Sequence, residues 1–459
     1  MAITGALITF MATSMTLKEH SGIQHLAWPA SLQNTNSPNS LSVLSYNVLL
    51  PNSQDGWWTY KNYYPPADLQ ITTWNYRQEL IKTKIQSFGY PDVICLQEVA
   101  PDSFKEDFDF LTSMGYDSHV LYRKGRFRPA TFWKSAKCKL VHDPVHRDRC
   151  LLTCFTTNTQ GKVPTWHILN CHLQAGQNAP RRLRQLEDGI GAIVKLEKKI
   201  YPELKNDQIR AIVCGDFNGD DECAAIRFIT DGVLTSDFIE DGAPVTSKTK
   251  TMPLGPMTDV VAAACSLDSK ALPPTLVVPE LISVMVAPTT TAYNSPQLSD
   301  ELKQRLTKIY NKFATDCNNM STTDVEKWLT CINGKVGRGS EFRCAAKLMG
   351  WTSNQDDDEN TRIELPPNSQ LSLEHFFQVY LQELMQGKFW GIAHDLCILG
   401  EPIIPLKDIK LYQGRIDRMF CTPATLTPTC VVSTFSDKPC PNENEPSDHL
   451  PVVASFKIK

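Results

Sequence analysis

No run of eighteen apolar residues occurs in this sequence, so no stretch of it reads as a membrane-crossing helix. A basic excess is also missing. The 46 Lys and Arg stand against 50 Asp and Glu, a formal charge of −4, so no global field draws nucleic acid or a membrane surface to the chain. A polyanionic substrate would have to be met by local cations or a metal. No CxxC pair occurs among the 15 cysteines, which leaves a zinc site without sequence support. Cysteine number is odd and spacing irregular. Cys95, Cys171 and Cys214 sit in apolar, strand-like runs, where free thiols act as small buried hydrophobes. A reducing, cytoplasmic setting is therefore expected, with pairing among Cys421, Cys430 and Cys440 left open. No basic n-region precedes the mildly apolar residues 1–16. A disordered start is the plainer reading, and organelle targeting by residues 1–30 stays open. No internal repeat is apparent.

What the chain does hold is a series of strand-length apolar runs that end in polar residues. The most informative is Ala211-Ile212-Val213-Cys214-Gly215-Asp216-Phe217-Asn218-Gly219. Residues i and i+2 of an extended chain share a face, so Asp216 and Asn218 project together from the end of a buried strand. An anion beside a neutral amide suits a phosphate-and-water site. The Asp holds or deprotonates water, and the Asn donates to a phosphoryl oxygen. The same residues also fit a strand closing in an Asx turn.

Taken in order, residues 1–40 read as a flexible segment with a Pro-, Ser- and Asn-rich linker at 28–40. Leu41 to Leu50 reads as a strand with Asn47 near its end. Residues 52–73 form an aromatic loop. Its Trp57, Trp58, Tyr60, Tyr63 and Tyr64 either stack on a base or pack the loop onto the sheet. A helix is expected from about Trp74 to Phe88, with Arg77, Lys82 and Lys84 on its outer side. Pro91 to Val99 reads as a strand buried on both faces that ends in Gln97 and Glu98. A carboxylate there needs a cation, and a hard divalent metal is the simplest partner.

Arg123, Lys124, Arg126 and Arg128 mark a solvated turn or, beside a phosphate, a substrate clamp. Trp166 to Ala175 repeats the i, i+2 spacing with Asn170 and His172. Residues 242–300 are rich in Pro, Thr, Ser, Ala and Val, and residues 301–395 look helical. Strand pattern returns from Ile403, with Asp417 inside one strand and Asp448-His449 just before the last. The expected domains are one α/β unit built from 41–240 and 403–459, interrupted by an insertion at 241–402.

Each feature alone is bland, but polar residues recur at the ends of successive strands. The ordered series SYN, CLQEV, NCHL, GDFN, RIDRMF and SDHLP resembles the endonuclease/exonuclease/phosphatase superfamily over 41–240 and 403–459. That resemblance implies a four-layered α/β sandwich, with two mostly antiparallel sheets flanked by helices. It implies metal-dependent phosphate-ester hydrolysis at one end of the sandwich. Carried over by position, Glu98 would bind Mg²⁺ or Mn²⁺ with Asn47 and Asp448 in the metal shell. Asp216 would orient or deprotonate the attacking water, and Asn218 and Asn170 would hold the phosphate. His172 and His449 would stabilise the pentacovalent charge, with Asp417 fixing the His449 tautomer. Trp74-Asn75-Tyr76-Arg77 and Ala130-Thr131-Phe132-Trp133-Lys134 are similar to the carbon-catabolite-repressor deadenylases and nocturnin. His172-Leu173-Gln174-Ala175-Gly176 also fits neutral sphingomyelinases.

Within the insertion, Phe313 to Leu329 and Leu371 to Leu384 resemble EF-hand halves. The first loop lacks the central glycine and acidic spacing that calcium needs. The second would hold Ca²⁺ through Asp356, Asp357 and Asp358 in an expanded loop. A degenerate, structural pair is the plainer reading. The expected function is a phosphodiesterase acting on RNA or a nucleotide, of deadenylase or 3′-exonuclease type. One alternative is a sphingomyelinase- or inositol-phosphatase-like hydrolase. Another is a catalytically silent, calcium-responsive protein that docks a protein partner through its insertion.

Overall fold

The structure, a computed structural model, describes residues 22–25, 37, 39–54, 59, 61, 69–157, 165–268, 270–288, 297–316, 319–352, 363–403 and 410–459. The uncharged start, most of the linker, the five rings of the aromatic loop and Asp356, Asp357 and Asp358 lie outside the described residues.

Runs crowded with β-branched, aliphatic and aromatic residues form the strands. In chain order these begin with β1 (Gly22–His25), β2 (Ser40–Asn47), β3 (Val93–Val99), β4 (Ser118–Leu121) and β5 (Arg128–Trp133). Next come β6 (Cys138–Leu140), β7 (Val145–Arg147), β8 (Cys150–Thr157), β9 (Thr165–His172) and β10 (Ala211–Asp216). The C-terminal half adds β11 (Thr258–Asp259), β12 (Leu276–Pro279), β13 (Asn319–Ser321) and β14 (Gln370–Ser372). Last are β15 (Leu411–Gly414), β16 (Asp417–Cys421), β17 (Leu426–Phe435) and β18 (Val452–Ile458).

Two seven-stranded sheets result. One runs β1-β17-β18-β2-β3-β5-β4; the other runs β11-β16-β10-β9-β8-β6, with β7 also paired to β8. Neighbours are antiparallel except β2 with β3 and β9 with β10. The sheets pack face to face through Val43, Cys95, Ile168, Ile212, Met419 and Ala454. Helices α1 (Trp74–Ser87) and α2 (Phe104–Ser113) cover the outside of the first sheet through Ile81, Ile85, Phe108 and Leu111. Helices α3 (Ala179–Ile200) and α4 (Ala224–Asp231) cover the second through Leu186, Ile190 and Phe228. The four-layered α/β sandwich expected from the sequence is present. No disulfide joins the described cysteines, and Cys95, Cys171, Cys214, Cys421, Cys430 and Cys440 are buried free thiols.

Two expectations need correction. Arg77 is not on the outer side of its helix but fully buried. Its guanidinium bonds the carbonyls of Val48, Leu49, Leu50 and Pro446 and the side chain of Asn52. Five acceptors in a fixed fork satisfy a charge that burial would otherwise penalise. The junction at 240/241 also moves. Val245, Met252 and Met257 enter the core beneath α3, and α5 (Val260–Asp268) packs Val260 and Ala264 between the sheets. The sandwich therefore extends to β12, which pairs with β15 as a two-stranded stem.

Beyond this stem lies a helical block with its own core. It contains α6 (Asp300–Phe313), α7 (Thr322–Asn333), α8 (Gly339–Leu348), α9 (Leu373–Met385) and α10 (Phe389–Ile398). Short strands β13 and β14 pair antiparallel, Met320 opposite Leu371, and precede α7 and α9. Ser321 and Ser372 cap those helices. In the first loop Asp324 Oδ2 accepts from Ser321 Oγ and Thr315 Oγ1, each at 2.8 Å, and from the Ser321 N–H at 3.1 Å. Protein donors thus surround the Asp324 carboxylate, which is not left open to a cation. The block also grips the sandwich. Lys61, in the loop after β2, is buried between Glu341 of α8 at 2.7 Å and Asp395 of α10 at 3.2 Å.

Candidate active site

Parallel neighbours end at the same edge of a sheet. The β2/β3 pair sets Asn47 beside Gln97, and the β9/β10 pair sets His172 beside Asp216. Antiparallel β16 starts at that edge, with Asp417 opposite Asp216. The loop entering β18 delivers Asp448 and His449. Side-chain alternation then aims the polar ends inward, because they continue the rows Val43–Ser45–Asn47, Ile168–Asn170–His172 and Ile212–Cys214–Asp216.

Glu98 departs from that alternation, which would aim Gln97 inward and Glu98 out. The β3/β5 register shifts between Leu96 and Val99, and Glu98 takes φ +60°. This bulge turns the carboxylate into the site. Gln97 is left inside, donating to Asn170 Oδ1 at 2.8 Å. Gly215 has φ +134°, and a Cβ there would lie 1.9 Å from the Cys171 carbonyl oxygen. Only glycine lets β10 approach β9 closely enough to present Asp216.

At the centre, Asn47 Nδ2 donates to Asp216 Oδ2 at 3.1 Å and Glu98 Oε1 at 3.3 Å, and lies 3.4 Å from His449 Nε2. Its Oδ1 accepts from the Leu49 N–H. As placed, Asn47 is therefore a donor joining the two carboxylates rather than a metal-ligating oxygen. Asn218 donates to both Asp216 oxygens, from its N–H at 2.9 Å and its Nδ2 at 3.2 Å. His172 Nε2 lies 3.7 Å from Asp216 and 3.8 Å from Glu98. His449 Nδ1 meets Asp417 Oδ2 at 2.8 Å.

The expectation for Asn170 does not hold. It is buried between the sheets, where its Nδ2 donates to the Leu96 and Ala130 carbonyls at 3.1 and 2.9 Å. With Oδ1 taken by Gln97, its hydrogen-bonding capacity is used in joining the sheets, and nothing remains for a phosphate.

Burial pushes the Asp216 carboxyl up to about 7, with Asp417 and Glu98 adding repulsion against the opposing pull of His449. Burial alone would lower His449, but Asp417, Asp448 and Asp216 outweigh it and hold the ring well above the usual histidine range. His172 is driven down to about 3 by burial and by the positive Arg149 and His449. The two histidines therefore differ near neutral pH: His449 is a cation and His172 a neutral imidazole.

Burial also raises Glu98, and the neighbouring Asp448 adds to the shift. Among the described residues neither Glu98 nor Asp448 pairs with a Lys or Arg side chain. Two such carboxylates without a Lys or Arg ion pair suit a hard divalent ion with oxygen ligands. Asp216, Asp417 and His449 also lie close enough to share an ion. However, the Asp417–His449 hydrogen bond occupies Nδ1, and the raised His449 favours a proton there over a metal.

Arg123, Lys124 and Arg126 are exposed on the turn between β4 and β5. The backbone of Phe127, at the end of that turn, lies beside the His172 ring. Sequence reasoning missed Arg149. Its carbonyl accepts from the His172 N–H at 3.0 Å, and its charge bears on Glu98 and Asp216. Nothing in His146-Arg147-Asp148-Arg149 separates it from a solvated turn; its φ of +56° appears only in the fold. Ser447, inside the SDHLP motif, was also passed over; its Oγ donates to the Asn47 carbonyl at 2.7 Å.

Residues 44–256 match the Endonuclease/Exonuclease/phosphatase family. A CCR4-Not complex 3′-5′-exoribonuclease subunit Ccr4 from Emericella nidulans is 32% identical over 121 residues, 24% of this chain and 17% of that protein. Protein angel homolog 2 from Danio rerio is 25% identical over 280 residues, 55% of this chain and 48% of its own length. The chain thus spans less than half the length of these curated relatives. Among solved structures, ANGEL2, a 2′,3′-cyclic phosphatase, in complex with adenosine-2′,3′-vanadate superposes with a TM-score of 0.49 at 17% identity, covering 97% of this chain and 99% of that one. The human Nocturnin catalytic domain with bound sulfate gives 0.44 at 14% identity, covering 96% and 98%. Over residues 44–256, a little under half of its length, the chain is similar to the endonuclease/exonuclease/phosphatase family.

Proposed function

We propose that this chain is a divalent-metal-dependent phosphoesterase that hydrolyses phosphodiester bonds of RNA or nucleotides by in-line attack of water. One observation carries the reading. Asp216, poised at about 7, sits within 4.0 Å of a cationic His449 at the end of a sandwich where Glu98 and Asp448 also converge. A carboxylate at that value is basic enough to take a proton from water and is still ionised near neutral pH. Asn218 and Asn47 hold it in place.

His449, oriented by Asp417, donates toward a phosphoryl oxygen and stabilises the charge that develops there. Glu98 and Asp448 would hold Mg²⁺ or Mn²⁺, which supplies Lewis acidity at the phosphoryl group when bound. His172 stays neutral and donates without adding charge. Arg123, Lys124, Arg126 and Arg149 meet the flanking phosphates, supplying the local cations that the net charge lacks. The exoribonuclease name of the Ccr4 relative favours RNA with a free 3′ end.

The test is hydrolysis of poly(A) RNA, mixed RNA, DNA, NADPH, sphingomyelin and an inositol phosphate in Mg²⁺, Mn²⁺ or EDTA. RNA or nucleotide turnover is expected, abolished by EDTA and lowered at least 100-fold in Asp216→Asn and His449→Gln. Turnover of the lipid or inositol phosphate alone would move the substrate class. Rates in both variants within tenfold of the parent would overturn the mechanism.

A further inference from the structure

The residue that braces Asp417 against His449 lies on neither of their strands. Thr275 precedes β12, where the chain leaves the sandwich for the helical block. It is 3% exposed. Its Oγ1 accepts from the Ile416 N–H at 3.1 Å and the Asp417 N–H at 2.9 Å. Its carbonyl accepts from the Leu450 N–H at 2.6 Å, and its own N–H donates to the Gly414 carbonyl at 2.8 Å. The next residue, Leu276, forms an isolated antiparallel bridge with His449. A single buried residue thus joins the backbone that carries the acid to the backbone that carries the imidazole.

The hydroxyl has a specific task. The Ile416 and Asp417 N–H groups fall at the start of β16, before its ladder with β11, which begins at Phe420. Among the described residues no strand carbonyl accepts from them there, and Thr275 Oγ1 takes both. A buried donor stripped of its acceptor is costly, and the segment would shift to find another. A shift of the Asp417 backbone by a fraction of an ångström lengthens the 2.8 Å contact with His449 and swings the imidazole.

We infer that Thr275 is a positioning residue: its hydroxyl fixes the Asp417 carboxylate against His449 and thereby aims the His449 ring at the reacting phosphoryl group. The inference rests on the proposed function. Substrate binding groups do not touch Thr275, so its effect belongs in kcat rather than KM.

The experiment compares Thr275→Val, isosteric but without an acceptor, with Thr275→Ser, on RNA in Mg²⁺. T275V should lower kcat 10- to 100-fold with KM within twofold, and T275S should stay within threefold of the parent. Combined with Asp417→Asn, T275V should add no further loss, because it acts through a group already removed. Parental kcat in T275V, equal loss in T275S, a loss confined to KM, or additive losses in the double variant would each overturn the inference. If T275V does not fold, Thr275→Ala gives the same comparison without β-branching. Asp216→Asn run alongside separates the failures: an active D216N removes the proposed function itself, whereas an inactive D216N with a normal T275V removes only the role of Thr275.

Discussion

Replacing Arg77 by Met tests how the site's framework is held. The guanidinium bonds four carbonyls and one side-chain amide from three places: the end of β2, the loop after it, and the loop that carries Asp448. The Leu50 carbonyl keeps a second partner in Thr59 Oγ1 at 2.7 Å. The carbonyls of Val48, Leu49 and Pro446 would be left buried without it. At about 1–2 kcal/mol each, R77M should cost about 3–6 kcal/mol, with the aliphatic part of Met offsetting little. Arg77→Lys keeps the charge but cannot fork, and should fall between.

Urea unfolding followed by tryptophan fluorescence would measure the midpoints, with an unchanged slope required for the comparison. Activity should fall further than the unfolded fraction explains, because Asn47 and Asp448 flank the segments that Arg77 ties together. An R77M midpoint shift worth less than about 1 kcal/mol would refute this account of the bonds.

Asn170 and Asn218 should part company. Asn170→Ala strands Gln97 and two sheet carbonyls and should cost about 2–4 kcal/mol of stability. Asn218→Ala should leave the melting temperature within a few degrees while lowering kcat tenfold or more, through loss of its Nδ2 bond to Asp216; scanning calorimetry and steady-state kinetics separate them. Acid stability should depend on His167, which burial drives down to about 4. It lies 3.3 Å from Glu197, whose carboxyl burial raises. With the His167 ring neutral near neutral pH, the contact is not an ion pair there. A lowered histidine contributes stability that is complete above its unfolded value near 6.5 and lost as pH falls toward 4, here about 3 kcal/mol. The raised Glu197 works in the opposite sense. His167→Gln should therefore close its stability gap to the parent by about 3 kcal/mol between pH 7 and pH 4; a gap that stays constant would show that folding does not shift the titration of His167.

Much of the site was legible because alternation is a strong rule. An apolar strand that turns polar at its end announces an edge with work to do, and Asp216, His172 and Asn47 were found this way. The rule misled at Asn170. It shares the inward face with His172 but sits one step deeper, where the other sheet uses up its amide. Glu98 reaches the candidate site by a feature the sequence does not contain, since only the bulge brings it inward. Arg77 was misplaced because helical periodicity gives a face, not what packs on it; the 446 loop closes over it from 369 residues away. The junction near 240 was drawn from composition, and the small apolar residues of α5 enter the core without any such signal.

The place of β18 has a consequence for how this chain is made. The last strand lies between β17 and β2, in the interior of the first sheet. While the chain is still emerging from a ribosome, β2 can pair with β3, yet its other edge stays open until Val452–Ile458 arrives, after the whole helical block. From the synthesis of β2 until that of β18 the chain carries an unpaired strand of high β-propensity, an edge open to other chains. The helical block, with a core of its own, can fold during that wait. Closure of the sheet and delivery of Asp448 and His449 are then one event, so a nascent chain acquires its sandwich and its active site together.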